Sequence, residues 1–312
     1  MRGILLPATT PFGAADGLVD ARALRGNIER WNETGIDGYV ILGSTGERVH
    51  LEERETQDVI RAARECVPRN LAFVVGVGGQ GTRASIEDAR RACADGADAL
   101  LVITPSFYRA AMTPAALAAH YETIADASTV PVVLYNIPQN TGVALSPETI
   151  ARLAAHKNIC GIKDSSGDMV NFVEMLRLSS PDFAVLTGHA SLLYAALSAG
   201  AQGAILAAAC VAPEVAVRIA RLVERGEHEQ ARELQRRFTP LARAVTTRFG
   251  IGGLKYALDL CGYAGGEVRA PLAQPDEAAR REIERVLEEC RLPDETARRE
   301  TTKLEAEGAA TT

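Results

Sequence analysis

With 312 residues, 47% of them apolar and 24% charged, the chain has the makeup of a globular protein with ample core, built as one large barrel or two ordinary domains. No run reaches the roughly 18 apolar residues that a membrane helix needs, and the apolar part of Met1-Arg2-Gly3-Ile4-Leu5-Leu6-Pro7 is too short for a secretory signal, so a cytoplasmic protein is expected. A formal charge of -6 argues against a nucleic-acid partner, which calls for a basic face, and leaves small molecules as the expected ligands.

Short β-rich runs alternate with amphipathic stretches from the N-terminus to about residue 225, the pattern of a parallel sheet made of β/α units. The predicted strands are Ile4 to Thr9, Gly38 to Leu42, Ala72 to Val77, Ala99 to Thr104, Val132 to Tyr135, Ile159 to Lys163, Ala184 to Thr187 and Gly203 to Ala207. Between them lie helices such as Glu52 to Cys66, with Val59, Ile60, Ala63 and Val67 at helical spacing, and Ile86 to Ala94. Gly35-Ile36-Asp37-Gly38, Gly96-Ala97-Asp98-Ala99 and Gly200-Ala201-Gln202-Gly203 echo one another, each ending a helix on glycine and opening a strand. Eight such units over residues 1–225 predict an α/β fold, the eight-stranded parallel β/α (TIM) barrel, with its active site at the C-terminal strand ends. Beyond residue 226 the strand pattern stops. Glu227 to Ala244, Leu254 to Cys261 and Asp276 to Cys290 are predicted as a three-helix appendage over residues 226–293 that covers the barrel or builds a subunit contact. The polar stretch 294–312 is expected to be a disordered tail.

The predicted strand ends carry the chemistry. After strand two, Gly43-Ser44-Thr45-Gly46-Glu47 offers two hydroxyls and free backbone N–H groups in a tight turn, fit to hold a carboxylate or simply to connect strand and helix. Tyr135 ends strand five, where its phenol can pass protons or merely pack. Lys163 closes the apolar run Ile159-Cys160-Gly161-Ile162 and precedes Asp164-Ser165-Ser166-Gly167-Asp168. Burial disfavours the charged form of an amine, and a neutral amine condenses with a carbonyl to a Schiff base. The alternative is a lysine that snorkels from the strand end or pairs with Asp164.

Other signals are weaker. Gly76-Val77-Gly78-Gly79-Gln80-Gly81 imitates a dinucleotide fingerprint, but Thr104-Pro105 stands where the next strand should end on an acid, so tight loop packing explains the glycines better. The five histidines are scattered, and the six cysteines form no C-x-x-C pair, so no metal site is expected and most cysteines should be reduced and buried.

Taken together, Gly43-Ser44-Thr45-Gly46-Glu47, Tyr135-Asn136-Ile137-Pro138 and Gly161-Ile162-Lys163-Asp164 resemble, in order and spacing, the dihydrodipicolinate synthase and N-acetylneuraminate lyase superfamily of Schiff-base barrels, over residues 1 to about 290. The resemblance implies no metal, no organic cofactor, a 2-oxo acid substrate and a homotetramer, frequently a dimer of dimers. It casts Lys163 as the Schiff-base lysine, Tyr135 as the proton relay, and Ser44 and Thr45 as the hydroxyls on the substrate carboxylate. Ile205, Gly188 and Ser165 are expected to line the same pocket.

Within the superfamily the synthase generally carries an arginine just after its tyrosine motif, whereas Pro138-Gln139-Asn140-Thr141-Gly142 has none. Together with Tyr108 to Thr113 and Arg248 to Lys255, that stretch resembles 4-hydroxy-2-oxoglutarate and 2-oxo-3-deoxy sugar-acid aldolases. The expected reaction is therefore class I aldol cleavage or formation of a 4-hydroxy-2-oxo acid with pyruvate or a close analogue as ketone. The alternatives are the 4-hydroxy-tetrahydrodipicolinate synthase and a 2-oxo-3-deoxy sugar-acid dehydratase. One position departs from the family pattern: Phe107 replaces a relay tyrosine, so either Tyr108 substitutes or the relay runs through Ser44, Tyr135 and water. Gln139, Asn140 and His189 are candidates for reading the distal end of the substrate, His189 equally a loop residue of no catalytic consequence.

Overall fold

A computed structural model of the chain describes residues 1–290; the predicted tail at 294–312 and the end of the C-terminal region at 291–293 lie outside them. Eight strands form: β1 (Gly3–Pro7), β2 (Gly38–Ile41), β3 (Ala72–Val77), β4 (Ala99–Ile103), β5 (Val132–Asn136), β6 (Ile159–Asp164), β7 (Ala184–Thr187) and β8 (Gly203–Ile205). Each pairs in parallel with the next, and β8 returns to β1 through Gly3↔Gly203 and Leu5↔Ile205, closing the predicted barrel. Predicted and observed strand ends agree within two residues. The largest shifts are at Thr9 and Ala207, where the chain leaves the ladder for loop and turn.

Both faces of every strand are buried, which is why the strands read as near-continuous apolar runs. Leu5, Val40, Val74, Leu101, Val133, Leu186 and Ile205 fill the barrel interior. The alternate positions, among them Leu6, Tyr39, Phe73, Leu100, Leu134, Ile162 and Val185, pack outward into the helix layer.

That layer consists of α1 (Ala21–Trp31), α2 (Glu53–Cys66), α3 (Thr82–Ala94), α4 (Pro114–Ala127), the single turn α5 (Pro138–Thr141), α6 (Pro147–Ala154), α7 (Met169–Leu178), α8 (Leu193–Ser198) and α9 (Pro213–Glu224). Local chemistry starts them: Asp20, Thr113, Ser146 and Asp168 each accept a backbone N–H at an N-cap, and Pro114 and Pro147 occupy first-turn positions. The echoed glycines do what their spacing predicts, Gly35, Gly96 and Gly200 lying at φ 78, 96 and 104. α3 begins at Thr82, four residues before the predicted Ile86, because its first turn, Thr82-Arg83-Ala84-Ser85, carries no apolar periodicity.

In the C-terminal region the first and last predicted helices stand within a residue of expectation, and the middle one starts earlier. α10 (His228–Arg243) runs into a π-helical turn at Ala244–Arg248, followed by α11 (Gly250–Leu260) and α12 (Glu277–Cys290). α11 starts at Gly250 rather than the predicted Leu254, since Gly252 and Gly253 disguise a helix whose close packing requires them. A Cβ on Gly252 would collide with the Ala273 carbonyl, and one on Gly253 would stand 2.6 Å from Phe249 Cβ. These helices share the core of the barrel. Leu241, Val245, Leu254, Leu258, Ile283 and Leu287 belong to the same buried cluster as the outward strand residues. Among the described residues no helix is long and apolar enough to cross a membrane. No disulfide forms there, and Cys66, Cys93, Cys160 and Cys261 are half-buried rather than buried as expected.

Candidate active site

Lys163 reaches the barrel interior because of an irregularity in β6. Val132 pairs with Ile159 but Val133 pairs with Gly161, so Cys160 is an extra residue, a bulge. Ile159 packs outward, and strict alternation from it would turn Lys163 outward too. The inserted residue resets the phase: Ile162 faces the helices, while Lys163, 4% exposed, brings its Nζ to 4.2 Å from the ring centroid of Tyr135. Tyr135 is its direct ladder partner on β5 and is itself a member of the interior cluster.

The Tyr135 hydroxyl lies 3.4 Å from Ser44 Oγ, in the turn that follows β2. That turn is a 3-10 helix, Ser44–Gly46, entered through Leu42 at φ 61 and left through Glu47 at φ 53, two side chains held in left-handed backbone. Thr10 Oγ1, just past β1, donates to the Gly46 carbonyl at 2.7 Å, and Thr45 is buried. Three strand ends therefore converge, and a line of polar atoms runs from Ser44 through Tyr135 to Lys163.

On the far side of Lys163, Gly188 follows β7 and donates its N–H to the Asp164 carbonyl at 2.6 Å. Its missing Cβ is what makes room. A methyl there would collide with Ser165 Oγ and stand 2.9 Å from Lys163 Cε. Ser165 is buried, and its carbonyl accepts Gln139 Nε2 at 2.5 Å, which ties the loop after β5 to the loop after β6. Asp164 points outward instead, accepting Asn136 Nδ2 and Ser166 Oγ at 2.7 Å each, and burial pushes its carboxyl above the usual range. It pairs with those groups and not with Lys163. His189 is half-buried, with Nδ1 unpartnered; burial lowers its imidazole while nearby Asp164 works the other way.

A cavity of about 460 Å³ opens at the C-terminal mouth of the barrel. Ser44, Tyr135 and Asn140 line it, with Gly78, Thr104 and Ile251. Lys163, Thr45, Ser165, Gly188, Ile205, Gln139, His189 and Tyr108 do not. Ile205 is buried in the interior cluster beneath the mouth, on β8. Tyr108 is 70% exposed and stacks edge-on against Phe107 at 4.9 Å, away from the cavity wall. The glycine-rich run after β3 serves the loop that bears them, since Gln80 Oε1 accepts the N–H groups of Ser106 and Phe107 at 2.8 Å each. Among the described residues no three His, Cys, Asp or Glu side chains gather to hold a metal.

Sequence reasoning missed the support beneath the 43–47 turn. Glu47 is buried against Lys255 of α11 and the backbone of Arg269. The visible signal was a lysine closing the apolar first half of a helix, Gly250-Ile251-Gly252-Gly253-Leu254-Lys255.

Known proteins are similar to the chain in sequence and in fold. The model of the dihydrodipicolinate synthetase family matches residues 1–290. A 4-hydroxy-tetrahydrodipicolinate synthase of Methanothrix thermoacetophila is 36% identical over 286 residues, covering 90% of this chain and 95% of its own. Among solved structures, a monomeric dihydrodipicolinate synthase variant superposes with a TM-score of 0.88 at 30% identity, covering 93% of this chain and 96% of its own. A prophage protein of the dihydrodipicolinic acid synthase family from E. coli K12, solved in complex with pyruvate, gives 0.87 at 31% identity, covering 93% and 98%.

Proposed function

The chain belongs to the dihydrodipicolinate synthetase family, whose members are Schiff-base lyases that make or break carbon–carbon bonds, and from that premise we propose that Lys163 forms an imine with pyruvate or a close 2-oxo acid analogue. The observation that carries this reading is the buried amine 4.2 Å from the Tyr135 ring, turned inward by the bulge at Cys160 earlier in β6.

In the proposed cycle Lys163 attacks the C2 ketone, the carbinolamine loses water, and the protonated imine becomes an electron sink. Tyr135, with Ser44 at 3.4 Å, moves the protons of these steps, and the Ser44-Thr45 turn holds the carboxylate. In the cleavage direction Tyr135 takes the 4-hydroxyl proton, C3–C4 breaks, and its electron pair passes into the enamine. Protonation at C3 and hydrolysis then release pyruvate and restore the amine. Condensation runs the same steps backwards, the enamine attacking an aldehyde.

Two readings of the aldehyde stand. The aldolase reading is supported by the loop after β5, where Gln139 spends its amide on Ser165 and residues 138–142 include no arginine of their own, Arg109 packing over Gly142 from the preceding loop. The synthase reading is supported at least as well by relatives named 4-hydroxy-tetrahydrodipicolinate synthase, at 36% and 33% identity. Supply of pyruvate with aspartate semialdehyde, against supply of 4-hydroxy-2-oxoglutarate, separates them by which is consumed. A homotetramer is part of the proposal, supported by the exposed Phe107, Tyr108 and Val170; light scattering that gives a monomer removes it.

Borohydride reduction in the presence of pyruvate tests the central claim. Wild-type protein gains one reduced pyruvyl group, mapped to Lys163, and Lys163→Ala gains none and turns over no aldol substrate. Turnover retained by a folded Lys163→Ala protein would sink the Schiff-base mechanism.

A further inference from the structure

The 43–47 turn is held from a direction the catalytic strands do not supply. Its last residue, Glu47, has no exposed side-chain surface, and both carboxylate oxygens are engaged. Oε1 lies 2.6 Å from Lys255 Nζ in an ion pair. Oε2 accepts the Arg269 N–H at 3.1 Å, with His50 Nδ1 at 3.4 Å. Lys255, equally buried, donates to the Glu267 carbonyl at 2.5 Å and sits 4.4 Å over the ring of Phe12. Arg269 extends the cluster, forking onto Glu55 and lying 4.3 Å over the same ring. Two wholly dehydrated charges are costly to keep, and removal of one strands the other. The link they make runs from α11 straight to the turn that carries Ser44 and Thr45.

We propose that Lys255 is a positioning residue for substrate binding: through Glu47 it fixes the Ser44-Thr45 turn where a 2-oxo acid carboxylate docks, and so makes α11 part of the binding machinery. This rests on the Schiff-base reading above, in which that turn holds the carboxylate. Lys163 stands outside the link, anchored on β6 between β5 and β7. Loss of the pair therefore loosens the carboxylate and leaves the nucleophile in place.

The test is the rate of borohydride-trapped pyruvate adduct against pyruvate concentration, for wild type, Lys255→Met, Glu47→Gln, the double variant and Lys255→Arg, with circular dichroism to verify folding. Expected are a rise of about tenfold or more in half-saturating pyruvate for Lys255→Met and Glu47→Gln, and a rate at saturation within about threefold of wild type. The double variant is no worse than the worse single one, because both cut one link, and Lys255→Arg recovers most of the loss. Folded variants that melt earlier but saturate as wild type does would overturn the inference, leaving Lys255 a purely structural group. Should Lys255→Met and Glu47→Gln not fold, Glu47→Asp, one methylene shorter with its charge kept, raises the half-saturating concentration if the pair positions the turn and leaves it unchanged if it does not. Absence of any adduct on wild-type Lys163 is a separate outcome, which overturns the Schiff-base reading and the inference with it.

Discussion

Gly188 shows how little freedom the nucleophile has. The space its side chain would fill is taken by Ser165 Oγ and approached by Lys163 Cε, so Gly188→Ala must push one of them aside. Ser165 Oγ, the nearer atom, must rotate away, and because β6 is buried and paired on both edges it is the lysine side chain, not its strand, that yields at the 2.9 Å contact. A displacement of about an ångström at a reacting atom costs on the order of 10²-fold. Gly188→Ala is therefore expected to lower the rate of pyruvate trapping by about that factor, with an unchanged far-ultraviolet spectrum. A wild-type trapping rate in that variant would show that Lys163 has slack that the geometry does not reveal.

Helices α3 and α4 meet through a titrating contact, His120 Nδ1 to Thr82 Oγ1 at 2.9 Å, with His120 Nε2 buried and unpartnered. Burial pushes this imidazole below its ordinary value, so the unfolded chain binds a proton more readily than the native one. Between the ordinary value of about 6.5 and the lower folded one, the unfolded state takes up that proton and native stability falls as pH falls. Urea midpoints measured from pH 8 down to 5 should drop through that window in wild type and drop less in His120→Gln; equal slopes would remove His120 as a source. His189 moves in the same direction, so part of the slope persists. Asp164, raised by burial, contributes with opposite sign. At this scale the sequence was most legible where one element faces one environment. The strands were readable because both faces are buried, and the helix ends because Gly35, Gly96 and Gly200 carry out the termination within a few residues. The start of α11 was hidden by glycines that serve packing rather than flexibility. The bulge at Cys160 was hidden because nothing in Ile159-Cys160-Gly161-Ile162 marks which residue is the extra one. Lys163 and Tyr135 were legible as strand-end residues, yet the phase slip that joins them is a property of the ladder.

For the whole molecule, one buried cluster spans the helix layer and the C-terminal helices, with Leu24, Phe73 and Leu134 in it as well as Leu241, Ile283 and Leu287. Cooperativity follows from that continuity. A chain ended at Pro275, lacking α12, strips cover from this core and is expected to lose the native state, whereas the chain ended at Cys290 melts in one transition. Two resolved transitions in the longer chain would mean that barrel and C-terminal helices are separate folding units. The partnership of Glu47 with Lys255 and Arg269 was invisible in the sequence for the same reason: it joins segments up to 222 residues apart. The closure of β1 on β8 carries a consequence in time. The first strand to be synthesised is paired on its second edge only when Gly203–Ile205 exists, which at about 5 to 20 residues per second comes roughly 10 to 40 seconds later. Until then the nascent barrel presents an open parallel edge for chaperones to shield, and Glu47 waits longer still for its cation. A chain broken off before Gly203 keeps that edge open, and one broken off between Ile205 and Lys255 has the strand that closes the barrel but leaves Glu47 without its cation.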